Sequence, residues 1–421
     1  MKLHIKGGRI VDPASGRDAV GDLFVADDRI VDGFREKADR VVDAKGLVVA
    51  PGLIDLAARL REPGAEYKAT LESEVGAAAA GGITSLACPP DTDPPLDEPG
   101  LVDMLRRRAK ALSRTRVYPL GALTVKLAGE ALTEMSQLAD AGCVAFSQAN
   151  APLADNQVLW RALQYAATFG FPVWLRPEDP ALSRGGVAHD GEVATRLGLP
   201  GIPPFAETMA VLGILELVRA TRARVHLCRL STAGAVELVR AAKREGLPVT
   251  CDVSVNHVHL SDMDLGFFDP NCRLEPPLRS ARDRDALARG AADGVIDCLC
   301  SDHTPVDDDG KHLPFGEAEP GATGLELLLP LTLKWGGRCE LPLARTLAAI
   351  TSEPARVLGL SSGRLAAGAP ADIVVFDPAA PVRVAPENLR SQGKNTPFLG
   401  HELAGRVRFT VLAGNVVYEA S

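Results

Sequence analysis

The chain predicts a (β/α)8 barrel carrying a small β-sandwich domain assembled from both termini. Three observations carry that expectation. Eight short apolar or β-branched runs, at 53–56, 83–88, 117–122, 144–147, 173–176, 225–229, 249–253 and 296–301, recur through the middle of the chain. Helical patterns separate many of them, and eight parallel strands with crossover helices are what such a barrel needs. Further β-like runs stand at both ends, so one domain built from the two termini is the simplest arrangement.

Taken in order, residues 1–50 alternate β-like runs (3–6, 9–11, 22–25, 41–43, 47–50) with turns. Residues 51–360 hold the barrel, with helical periodicity clearest at 101–111, 156–169, 207–220 and 233–244. Residues 361–421 return to β: 371–376 is apolar, and 406–412 runs through Ala413-Gly414-Asn415 into Val416-Val417-Tyr418, a hairpin signature.

Composition narrows the function. The 421 residues are 46% hydrophobic, ordinary for a full core, and the net charge of −8 argues against nucleic acid or an anionic membrane as the main partner. The start, Met1 to Gly8, has no apolar leader core, and runs such as 327–331 are too short to span a bilayer, so the cytoplasm is expected. Eight cysteines form no CxxC pair; Cys298 and Cys300 alternate on a strand and are expected in the core.

In a barrel of this kind the chemistry sits where strands end, so those residues carry the functional reading. Strand one ends Ala57-Ala58-Arg59-Leu60-Arg61-Glu62-Pro63-Gly64; strand two is followed by Pro90-Asp91-Thr92-Asp93-Pro94. Strand four ends Phe146-Ser147-Gln148-Ala149-Asn150, strand five Leu175-Arg176-Pro177-Glu178-Asp179, and strand six His226-Leu227-Cys228-Arg229. Later come His257 and His259, Glu275-Pro276-Pro277-Leu278-Arg279, and Ser301-Asp302-His303-Thr304-Pro305-Val306.

These motifs closely resemble those of dihydroorotases, members of the amidohydrolase superfamily. There strand one reads His-x-His-x-Arg-Glu-Pro-Gly, and its histidines hold catalytic zinc. The resemblance implies that the metal positions of this chain are Ala57, Arg59, Gln148, Arg176, Arg229 and Asp302. Only Asp302, the general-base position, is retained. Alanine has no donor atom, arginine stays protonated, and a neutral glutamine is a poor zinc ligand. The resemblance further implies that Arg61 is the retained carboxylate anchor, while the two substrate-binding asparagines have become Asp91 and Glu275.

His226 survives, but three residues from Arg229 on a strand it is expected on the opposite face. His257 and His259 share a face in an extended segment, yet no third ligand adjoins them; ordinary hydrogen-bonded or surface histidines are expected. Cys228 is expected to be an inert core thiol. No zinc or other cofactor is therefore expected. The anticipated picture is a self-satisfied network in which Arg59, Arg176 and Arg229 tie up Asp302 while Asp91 and Glu275 neutralise Arg61. The resemblance is to the non-catalytic dihydroorotase-like chain of pyrimidine biosynthesis, and it implies aspartate carbamoyltransferase as a partner in a hetero-oligomer. Two alternatives stay open: an amidohydrolase with weak or altered metal use, and an anion or small-molecule sensor built on the arginines.

Overall fold

A computed structural model describes residues 1–420. The eight barrel strands are β1 (Leu53–Asp55), β2 (Ile83–Cys88), β3 (Arg116–Ala122), β4 (Ala145–Ser147), β5 (Val173–Leu175), β6 (Val225–Leu227), β7 (Val249–Ser254) and β8 (Cys298–Cys300). They pair in parallel and in chain order. Between β8 and β1 the circle is closed just past the strand ends, by a parallel bridge between Ala58 and His303. Nearly every β1–β8 residue is buried on both faces, which is why these runs read as continuous apolar stretches instead of alternating ones.

The crossover helices include Pro99–Leu112, Asn156–Phe169, Phe205–Thr221 and Ala233–Arg244, at or within two residues of their expected limits. The strands end earlier than expected at Arg176, Arg229 and Ser301. Arg229 and Asp302 have φ of +54° and +51°, so the chain turns out of the sheet at the residues whose side chains enter the barrel mouth. Arg61 and Ala149, at the ends of the first and fourth βα units, also have positive φ. Four such residues on one rim store backbone strain, of order 1–3 kcal/mol each, that the surrounding contacts must hold.

Strands of both termini share one sheet. Strand Val48–Pro51 pairs in parallel with Lys2–Asp12 and antiparallel with Ile373–Arg383, so the N- and C-terminal runs share a ladder. Hydrogen bonding joins all the terminal strands into a single eight-stranded sheet. One face closes over a core that includes Leu3, Ile5, Val25, Ile373 and Val411; residues of the other face, including Val48, Val374 and Phe376, merge with the core of the barrel. The two runs expected at 3–6 and 9–11 are one strand interrupted by a register shift between Ile5 and Gly8. No helix among the described residues is long and apolar enough to cross a membrane.

Candidate functional site

The rim of the barrel gathers the arginines that strands one, five and six supply. Arg59 leaves the end of β1 with its backbone N–H donated to the His303 carbonyl. Its Nε donates to Asp91 Oδ2 at 2.7 Å, Nη1 to Thr304 Oγ1 at 3.1 Å, and Nη2 to Asn150 Oδ1 at 3.0 Å. Asp302 Oδ1 lies 3.7 Å from the same Nη1. Arg229 approaches from the opposite side, with Nη1 donating to Asp302 Oδ1 at 3.0 Å and Nη2 to Asn150 Oδ1 at 2.5 Å. Arg59, Arg229 and Asp302 are each about 5% exposed.

Asp302 is thus held between two guanidiniums, and Asn150 bridges the same pair from the other side. Burial opposes the charge on Arg229, but Asp302 together with Asp252 and the neighbouring Cys228 and Cys300 outweighs it, and the guanidinium is held charged above its ordinary value. Burial also pushes against ionisation of Asp91; Arg59, Arg61 and Arg229 together overcome it and bring the carboxyl below the usual range.

Three of the expected pairings are corrected. Arg176 does not reach Asp302: its guanidinium donates to Glu178 and, through Nη2, to Glu275 Oε1 at 2.9 Å, with the Asn150 carbonyl at 3.3 Å. Strand five ends at Leu175 and sends the side chain sideways to acids on its own loop and on the 275 loop. Asp91 is committed to Arg59 and Glu275 to Arg176, so neither hydrogen-bonds Arg61. Arg61 instead donates Nε to the Pro305 carbonyl at 2.9 Å. Its guanidinium is held below its ordinary value by burial and by the neighbouring charge of Arg59. Four guanidiniums (Arg59, Arg61, Arg176, Arg229) therefore share the rim with four carboxylates (Asp91, Glu178, Glu275, Asp302).

The loops around this cluster are rigidly spaced. A Cβ on Gly64 would lie 2.1 Å from the Asp93 carbonyl oxygen, so only glycine lets the first and second loops meet above Arg61 and Asp91. Gln148 turns away from the centre: it accepts from Thr124 Oγ1 at 2.9 Å and donates to the Leu127 carbonyl at 2.8 Å. Ala57 is buried and apolar.

His226 is corrected in another way. Alternation predicts that it points away from Arg229, yet both side chains lie within the barrel because the chain leaves the sheet after Leu227. His226 packs beside Trp174, one layer below the arginines, with its ring nitrogens against Thr250 Oγ1 at 2.8 Å and Asp252 Oδ2 at 2.9 Å. Asp252 in turn accepts from the backbone N–H of Arg229 at 2.7 Å. His226, Cys228 and Asp252 are, among the described residues, the one group of such side chains close enough to share an ion, within 4.8 Å of one another. Both imidazole nitrogens and both Asp252 oxygens already have partners, and burial pushes the Cys228 thiol well above its ordinary value.

His257 and His259 are hydrogen-bonded loop residues. The first faces the Pro276 and Pro277 carbonyls and the second the Leu331 carbonyl; burial pushes both down to about 4. Cys298 and Cys300 are core residues. Asn150, Glu178 and Thr304 are members of the site that sequence reasoning did not assign; Thr304 lies two residues past Asp302. Their signal was position alone, the first two directly after strands four and five.

The fold class and the rim define a barrel of the amidohydrolase type, and the positions that the resemblance assigns to metal are occupied by Ala57, Arg59, Gln148, Arg176, Arg229 and Asp302. The fit to a binuclear zinc centre fails at five positions, because the guanidiniums of Arg59 and Arg229 fill the space around Asp302 with positive charge. Comparison with known proteins agrees on the lineage. A dihydro-orotase-like family profile matches residues 46–235, and an amidohydrolase family profile matches residues 205–418. A dihydroorotase-like protein of Pseudomonas aeruginosa is 45% identical across 100% of both chains. A dihydroorotase of Geobacter sp. (strain M21) is 41% identical, again over 100% of both. L-hydantoinase from Arthrobacter aurescens superposes with a TM-score of 0.88 at 25% identity, over 99% of this chain and 96% of that one. The chain belongs to the dihydroorotase-like amidohydrolase family.

Proposed function

We propose that this chain is a catalytically inactive dihydroorotase-like protein of pyrimidine biosynthesis that serves as a structural partner of aspartate carbamoyltransferase. The observation that supports it is the Arg59–Asp302–Arg229 arrangement. A metal-dependent hydrolase needs Asp302 free to take a proton from metal-bound water. Here the carboxylate is consumed by two guanidiniums whose own remaining donors go to Asp91, Asn150 and Thr304. Removing the metal charge from such a barrel leaves a buried acid uncompensated, and the arginines restore the balance without any ion. The barrel then persists as a rigid body whose outer surface does the work.

The partner follows from the family resemblance, and the acidic balance of the chain suits association with a basic surface. Two measurements test the proposal together. Purified protein should carry well under one equivalent of zinc and hydrolyse no dihydroorotate. Mixed with the aspartate carbamoyltransferase of the same organism, it should co-elute as a hetero-oligomer burying more than about 1,000 Å2 per stable contact. Near-stoichiometric zinc with turnover would favour an amidohydrolase of altered metal use. Separate elution at micromolar concentration, with the transferase fully active alone, would remove the scaffold.

A further inference from the structure

A second concave site lies away from the barrel mouth, on the seam between the terminal sheet and the barrel. It is a cleft of about 290 Å3 whose walls include Arg383, Asn388, Arg390, Arg406 and Tyr418, with Glu326 also lining it. Three guanidinium-bearing residues around one small cleft stand out in a chain whose 54 acidic residues outnumber its 46 lysines and arginines. Arg390 is pre-positioned: its guanidinium carbon stacks 4.9 Å above the Tyr418 ring, which fixes the planar fork at the wall of the cleft. Among the described residues no acidic side chain lies within salt-bridge distance of Arg383 or Arg390.

The one acid lining the cleft pairs with neither the Arg383 nor the Arg390 guanidinium. The Glu326 carboxylate accepts from the backbone N–H of Arg390 at 2.8 Å and of Ser391 at 3.1 Å. Burial pushes it up to about 7, with Glu74 adding to the effect. It therefore serves the backbone turn and carries only part of its charge near neutrality. Leu389 and Val407 also line the cleft, each less than a tenth exposed.

We propose that this seam binds a small phosphorylated metabolite, the phosphate group gripped by Arg383 and Arg390. Guanidinium forks match phosphate oxygens bidentately, and the Tyr418 ring and Asn388 beside them can meet a sugar or base. The site is independent of the barrel rim and of the scaffold reading.

Calorimetric titration of the full chain at constant ionic strength tests it, with sulfate, inorganic phosphate, pyrophosphate and ATP as separate probes. Saturable binding of one equivalent of pyrophosphate or ATP is expected. The double variant Arg383→Ala/Arg390→Ala should weaken it by at least about tenfold, while Arg17→Ala, outside the cleft, should leave it unchanged. Both substituted arginines are exposed, so folding should survive, and circular dichroism confirms that the comparison is between folded proteins. ATP binding tighter than pyrophosphate would support a nucleotide as the source; equal binding would support recognition of the phosphate groups alone. No saturable binding of any probe, or binding unchanged in the folded double variant, overturns the proposal.

Discussion

Arg229 and Asp302 come from neighbouring regions of the barrel rim, 73 residues apart in sequence, and meet at 3.0 Å with both side chains almost fully buried. Both residues have positive φ, so each backbone is bent to bring the pair together. An ion pair in this setting repays its desolvation only if the remaining donors and acceptors are also satisfied. Asn150 accepts from Arg229 Nη2 and the Asp252 carboxylate from the Arg229 backbone N–H, while Arg59 lies 3.7 Å from the shared Asp302 oxygen.

The first prediction concerns a broken pair. Arg229→Ala leaves Asp302 buried beside Arg59 alone and should destabilise the fold by about 3–5 kcal/mol. Arg176→Ala should cost less, because Glu178 and Glu275 retain 16% and 31% exposure and regain water. Urea titration of the two variants checks the order; equal and negligible losses would mean that the rim is not energetically coupled.

Removing both members should behave differently. The double variant Arg229→Met/Asp302→Leu takes away two desolvated charges and leaves apolar groups of comparable size. It should lie close to the parent in stability, well above the sum of the single changes, as a coupling energy from a double-mutant cycle would reveal.

Restoring one histidine should not restore a metal. Arg59→His places one imidazole beside Asp91, Asp302 and the Arg229 guanidinium, with alanine at position 57 and no further imidazole to complete a ligand set. Zinc content measured by atomic absorption should stay well below one equivalent, and dihydroorotate should remain unhydrolysed.

The pH response of stability should have two opposed limbs. Asp91 and Glu178 sit below their ordinary values, Asp91 through Arg59 and Glu178 through Arg176, in each case against burial. Their contribution is present above about pH 4, the unfolded value, and is lost as pH falls through the depressed folded value. Glu326 is opposite. Burial raises it to about 7, so the folded state holds a proton that the unfolded chain releases near pH 4, and stability declines as pH rises from about 4 to 7. Replacing Glu326 with Gln should therefore gain on the parent between pH 5 and pH 8, by up to about 3 kcal/mol. Thermal melts at the two pH values give the difference; a parallel shift of both proteins would contradict the assignment.

Much of this protein was determined by sequence alone, for reasons that are local. Barrel strands buried on both faces must be runs of apolar residues, so 83–88 and 173–175 announce themselves, and Asn156–Phe169 carries its own helical period and caps. That Ala57 and Arg59 cannot hold zinc was legible because donor chemistry belongs to the residue type. Which acid each arginine would choose was not legible. Whether Arg176 reaches Asp302 or Glu275 depends on where its strand releases it, and whether Asp91 serves Arg59 or Arg61 depends on a separation of a few ångströms. His226 shows the same limit, since alternation holds only while the chain stays in the sheet, and a positive φ at Arg229 ended it. Pairing among buried charges is set by distances and desolvation that exist only once the eight strand ends converge, and that convergence is a property of the closed barrel.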